Sequence, residues 1–205
     1  MNNKLDKFSK KINRDSIIIY LAIFIMIGVM VSPIINIINY VGKDPVNFEV
    51  KIAKEKGFDG SYCLYIDGKN FKLVDYNDYN KLDRNGYKNV KMCLIIEEIG
   101  IATKAFMIII LFLIVYQIMR SIVKEEMPFT EKNVNRLRMV AIITILIAII
   151  PGCLKIMITM LFFNNTNVHL SQTNILVVIL GVLIGVVSEI FKYGYELKDD
   201  ISSKN

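Results

Sequence analysis

The sequence predicts an all-α membrane protein: four transmembrane helices, with a small β-containing extracytoplasmic domain between helices one and two. Two observations carry this. Four long apolar runs occupy residues 17–41, 99–119, 139–163 and 174–190. Each is close to the about 20 mostly apolar residues that a spanning helix needs, because backbone polar groups inside lipid must be satisfied within the helix. In addition, 54% of the 205 residues are hydrophobic and the mean hydropathy is +0.44, more apolar surface than a soluble domain of this length can hide.

Taken in order, residues 1–16 form a basic N-terminal segment. The first run (17–41) follows it as in a signal peptide, but the run is too long for one and ends in Ile38-Asn39-Tyr40 with no small-residue cleavage site. It is expected to be a retained signal-anchor helix. Residues 42–98 are a loop domain of different texture. Alternating stretches Phe48–Ile52 and Tyr62–Ile66, the dipeptide Asp67-Gly68, and Phe71-Lys72-Leu73 predict a β-hairpin around an Asp-Gly turn. So small a domain buries little core alone and is expected to lean on the helices. The second run (99–119), a polar loop (120–138), the third run (139–163), a turn (164–173), the fourth run (174–190) and a tail (191–205) complete the chain.

Charge placement sets the expected topology. Residues 1–16 carry five Lys and Arg against two acidic residues, and 120–138 carry five against three, whereas the ten basic residues of 42–98 are matched by ten acidic ones. Short loops rich in Lys and Arg stay in the cytoplasm, and long loops translocate largely regardless of charge. Both termini and 120–138 are therefore expected in the cytoplasm, with 42–98 outside the cell membrane. The net charge of +6 follows this distribution and does not point to direct nucleic-acid binding.

Polar residues within the runs are costly in lipid, and so informative. Asn36 and Pro33 lie in helix one, Lys104 in helix two, and Pro151, Gly152 and Lys155 in helix three. At about 1.5 Å per residue, Lys104 lies roughly 9 Å from Glu98 and Lys155 roughly 12 Å from Phe163. Asn36, Lys104 and Lys155 are candidates for an outer pocket that takes an anionic ligand, with unwound backbone at the prolines. The plainer reading is that the lysines snorkel to the headgroups, one of them paired with Glu97 or Glu98. Cys63 and Cys93, both in the outer segment, are either a disulfide or two partly buried thiols, since spacing alone does not decide pairing. Gly28 with Ser32, and Gly181 with Gly185, are small residues at four-residue spacing that allow close helix approach. Glu189 is expected to pair with Arg120, Arg136 or Arg138.

The two cytoplasmic stretches carry the partner-binding candidates Phe129, Thr130, Asn133, Arg136 and Arg138, then Glu189, Phe191, Tyr193 and Tyr195. Thr130 is a good N-cap with Glu131 in the first turn, so helix three should begin inside the loop. Aromatic and Arg side chains are the usual anchors of interfaces, and the alternative is an aromatic belt at the headgroups. Pro128-Phe129-Thr130, followed by Asn133-Val134 and Arg136-Leu137-Arg138, together with Glu189–Gly194 and Glu196-Leu197, resembles a bacterial family of four-helix integral membrane proteins, the domain-of-unknown-function family numbered twenty-nine seventy-five. Asp200-Ile201-Ser202-Ser203 departs from the family's usual ending of an acidic residue, any residue, Thr and an aliphatic. The resemblance implies no reaction. It implies a membrane partner for a small helix-turn-helix regulator, whose gene often neighbours those of the family.

No Cys-x-x-Cys, Walker loop or GxSxG occurs, and His169 is the one histidine, so neither catalysis, a metal nor a cofactor is expected. High Ile, Lys and Asn content suits a low-GC bacterium. Two functions remain: a sensory or regulatory membrane protein holding a soluble transcription regulator, or a small transporter or immunity-type protein, in which a homo-oligomer would compensate for four helices without matched halves.

Overall fold

The structure, a computed structural model, describes residues 2–52, 61–125, 130–164 and 172–203. Its α-helices and strands in chain order are α1 (Asn2–Val41), β1 (Phe48–Ile52), β2 (Tyr62–Ile66), β3 (Lys69–Val74), α2 (Tyr76–Tyr79), α3 (Val90–Glu125), α4 (Glu131–Phe162) and α5 (Gln172–Ser203). Four spans are long and apolar enough to cross a membrane: Ser16–Val41, Val90–Val123, Glu131–Phe162 and Asn174–Leu197. This is a multi-pass membrane protein, mostly helical, with a small three-stranded sheet between its first two spans.

The helices outrun the apolar segments because the backbone ladder does not stop where side chains become polar. α1 takes in the basic N-terminal segment, and α5 continues through the tail. α3 begins at Val90, not at residue 99, since Val90, Cys93 and Leu94 form an i, i+3, i+4 face that is buried. Thr130 caps α4 as the sequence indicates: its Oγ1 accepts from Asn133 N at 3.2 Å, and Glu131 stands in the first turn. The backbone remains helical through Pro33 and Pro151, so the unwound segments expected there do not form.

The chain divides into two compact units. One comprises Met30–Thr103 and Pro151–His169, the other Met1–Val29, Lys104–Ile150 and Leu170–Asn205. Two of the divisions fall within a turn of Pro33 and at Pro151, where the missing N–H removes a rung of the helix. Another follows Thr103, whose hydroxyl donates to Ile99 O at 2.8 Å, a bond that bends helices slightly.

In the first unit the strands pair antiparallel in the order β1-β2-β3. Ile66 faces Lys69 across a two-residue turn in which Asp67 and Gly68 both have positive φ, 52° and 75°. That is the twist a tight hairpin requires, and Asp-Gly supplies it at low cost. The sheet buries Phe48, Leu64 and Ile66 against Tyr40 of α1, Val90, Leu94 and Ile96 of α3, Tyr79 of α2 and Phe163. The outer segment thus completes its core with helix residues, as its size demands. Lys91 Nζ caps the end of α1, donating to Val41 O at 3.0 Å and Lys43 O at 2.6 Å.

In the second unit, α5 meets α4 at Gly181, where an added Cβ would lie 2.5 Å from Ile145 Cγ1 and 3.0 Å from Ala141 O. Arg138 holds Glu189 through Nε at 3.0 Å and Nη2 at 2.8 Å, which selects one of the three arginines expected to do so. Tyr20 of α1 lies against Tyr116 of α3, ring centroids 4.7 Å apart.

Candidate functional site

Adjacent carboxylates at the start of the α3 span form the centre of the sheet-bearing unit. Glu97 accepts from Lys72 Nζ of β3 at 2.9 and 2.7 Å, and from the hydroxyl of Tyr79 on α2. Lys72 also lies 5.5 Å from the Tyr79 ring centroid, a cation–π distance. Glu98, one residue on, accepts from Asn36 Nδ2 of α1 at 3.0 Å. A helix turns about 100° per residue, so the two acids serve different neighbours: one fixes the sheet and α2, the other α1. Tyr79 is 6% exposed, and burial, followed by the Glu97 hydrogen bond, raises the pKa of its phenol above the ordinary value.

Beside this cluster is a pocket lined by Asp78, Tyr79, Lys81, Cys93, Ile96, Glu97, Lys155, Thr159 and Phe163. Lys155 sits on α4 within a membrane span. Thr159 returns its hydroxyl to Lys155 O at 2.7 Å, so it offers the pocket an acceptor. Among the described residues, no group of three His, Cys, Asp or Glu could hold a metal.

Of the residues expected in an outer pocket, Lys155 lines this one. Asn36 is engaged by Glu98, and Lys104 is an exposed residue of the other unit. Glu97 and Glu98 are held by Lys72 and Asn36, not by the lysines of the spans. Cys63 and Cys93 are free, buried thiols, so the disulfide alternative is not formed. Tyr79, Lys81 and Lys72 were missed. An acidic pair at the mouth of an apolar run was the available signal, because such charges need partners.

The partner-binding candidates separate by exposure. Phe129 lies outside the described residues. Asn133 is 1% exposed, and its Oδ1 accepts from Arg136 Nη1 at 3.2 Å, so it holds the start of α4 and is withdrawn from any soluble partner. Arg136 also donates to Gln117 O of α3 at 3.3 Å, and Arg138 is bound to Glu189. Thr130, the cap, is half-buried, as are Phe191 and Tyr195, whereas Tyr193 is 66% exposed and Leu197 49%. Much of the loop motif therefore serves to join helices, and the exposed aromatic is on α5.

A family described as a protein of unknown function (DUF2975) matches residues 76–202. No curated protein and no solved structure matches the chain.

Proposed function

The chain belongs to the DUF2975 family of proteins of unknown function, and from that premise we propose that it is a non-enzymatic sensory or regulatory protein of a bacterial cell membrane. In this reading both termini and residues 120–138 face the cytoplasm, and the sheet lies outside. The side of α5 around Tyr193 and Leu197, beyond the apolar run that ends at residue 190, holds a soluble helix-turn-helix regulator.

The observation that carries the reading is the double attachment at Glu97 and Glu98. A sheet that existed only to cover helix ends needs no such coupling. Here β3 and α2 are bound to one residue of α3, α1 to the next, and α3 continues as helix to Glu125. Anything that alters the sheet bears directly on two spans. The basic loop and N-terminus support the orientation.

Co-purification from detergent tests the partner. A helix-turn-helix protein should accompany the wild type and be lost from Tyr193→Ala/Leu197→Ala while membrane abundance stays normal. Retention by that variant, or no such partner with the wild type, moves the reading to transport. Topology is tested with an impermeant thiol reagent on intact cells: Asn77→Cys should label and Ser203→Cys should not, and the reverse pattern overturns the orientation.

A further inference from the structure

We propose that the pocket formed by α2, α3 and the last turns of α4 binds a phosphate group between the ammonium groups of Lys81 and Lys155. This deepens the sensory reading, on which it rests for its consequence, by naming the class of ligand that the sheet-bearing unit takes.

An ammonium group within an apolar span is costly unless something compensates it. Lys155 is such a group, and neither it nor Lys81 has an ion pair among the described residues. Glu97, which lines the same pocket, is committed elsewhere: it holds Lys72 at 2.7 Å and the Tyr79 hydroxyl. Asp78 is exposed, so its repulsion of an anion is screened by water. Lys81 and Lys155 therefore share one open space with two acids, Glu97, whose charge Lys72 already offsets, and the screened Asp78. The space, about 50 Å³, is far smaller than the roughly 300–1,000 Å³ of small-molecule sites. It suits a headgroup or a free ion, not a whole lipid. Lys155 lies about 12 Å along the helix from Phe163, within reach of the headgroup layer. The phosphate could thus come from a phospholipid or from solution.

The two sources are separated by titrating the full chain in dodecyl maltoside with inorganic phosphate and with dioctanoyl phosphatidylglycerol, read by calorimetry. Saturable one-to-one binding of either probe is expected, weakened at least tenfold in Lys81→Gln/Lys155→Gln and restored in Lys155→Arg/Lys81→Arg. Lys88→Gln, away from the pocket, should bind as the wild type. Binding of the lipid alone assigns the site to a headgroup, and binding of both assigns it to phosphate itself. If the double variant does not fold, Lys81→Gln and Lys155→Gln singly give the same reading, because each leaves one ammonium in place. No saturable binding of either probe, or unchanged binding in the glutamine variants, overturns the proposal. Binding without any partner protein would sink the sensory reading and leave this one standing, whereas a partner without phosphate binding would do the opposite.

Discussion

Asn36 of α1 donates to Glu98 of α3 across 62 residues of sequence, at 3.0 Å. Its neighbour in significance is the preceding residue, Glu97, which is occupied by Lys72 and Tyr79. Because the two carboxylates are consecutive on one helix, neither attachment can shift far without the other. A polar side chain in a span is stable only when satisfied, so this pair also explains why an amide is tolerated in α1.

Replacing Asn36 by Leu keeps the branching at Cγ and removes the donor. Glu98 is then left with an unmet acceptor, at a cost of about 1 kcal/mol, the typical net value of one hydrogen bond, or roughly 0.6 if this contact behaves like the average one inside membranes. Glu98→Gln still offers Oε1 and should lose less. A double-mutant cycle on the reversible unfolding of the detergent-solubilised protein measures the coupling, and a coupling of zero would remove Asn36 as an anchor.

Tyr79 predicts an alkaline limb to stability. Its pKa in the folded chain is raised above the ordinary 10.0, by burial first and then by the hydrogen bond to Glu97. A raised value means that the fold favours the neutral phenol. Its contribution is complete below about pH 10 and is lost as pH rises towards the folded value. Tyr79→Phe should cost about 1 kcal/mol at pH 7 through the lost hydrogen bond, and should flatten the decline above about pH 10. An unchanged alkaline slope in the phenylalanine variant would assign that limb to other groups.

The spans, the Asp67-Gly68 turn and the Thr130 cap were legible in the sequence because each rests on local chemistry: a run of apolar residues, two positive φ angles, a hydroxyl at a helix start. The start of α3 was less legible. Lys91, Glu97 and Glu98 interrupt the hydropathy, although Val90, Cys93 and Leu94 already show the helical spacing, and the reason for burying them, the sheet, is a tertiary contact. The pocket was half legible for a similar reason. Helix rise gives the depth of Lys155 but not what lies beside it, so Lys81 and Tyr79, which reach the site through the fold of residues 75–89, could not be found from spacing. The arginines of the loop carry no mark of their partners either. Arg138 meets Glu189 across 51 residues of sequence.

All three cysteines should react as free thiols. Cys63 and Cys93 are buried in the core of the sheet-bearing unit, and Cys153 is exposed on α4. Alkylation in denaturant without any reductant should add three labels by mass, and the native protein should protect Cys63 and Cys93. One label in denaturant rising to three after reduction would establish the disulfide instead.

Gly181 and Gly28 look alike in the sequence, each the start of a four-residue pair of small residues in a span, yet the structure gives them opposite consequences. A Cβ on Gly181 would stand 2.5 Å from Ile145 Cγ1, which can rotate away, and 3.0 Å from Ala141 O, which is backbone and cannot. Gly181→Ala must therefore push α5 from α4, at about 1–3 kcal/mol for overpacking, offset by the roughly 1 kcal/mol by which Ala favours a helix over Gly. At Gly28 nothing lies within 4 Å, and at Gly185 the nearest atom, Ala141 Cβ, is at an ordinary 3.8 Å. Alanine at either should be neutral or stabilising. Unfolding of the three single variants in the same detergent should rank Gly181→Ala alone below the wild type. Should Gly28→Ala be the damaging one, a helix from outside this chain must cover that face of α1, and a second copy would be the first partner to test by crosslinking.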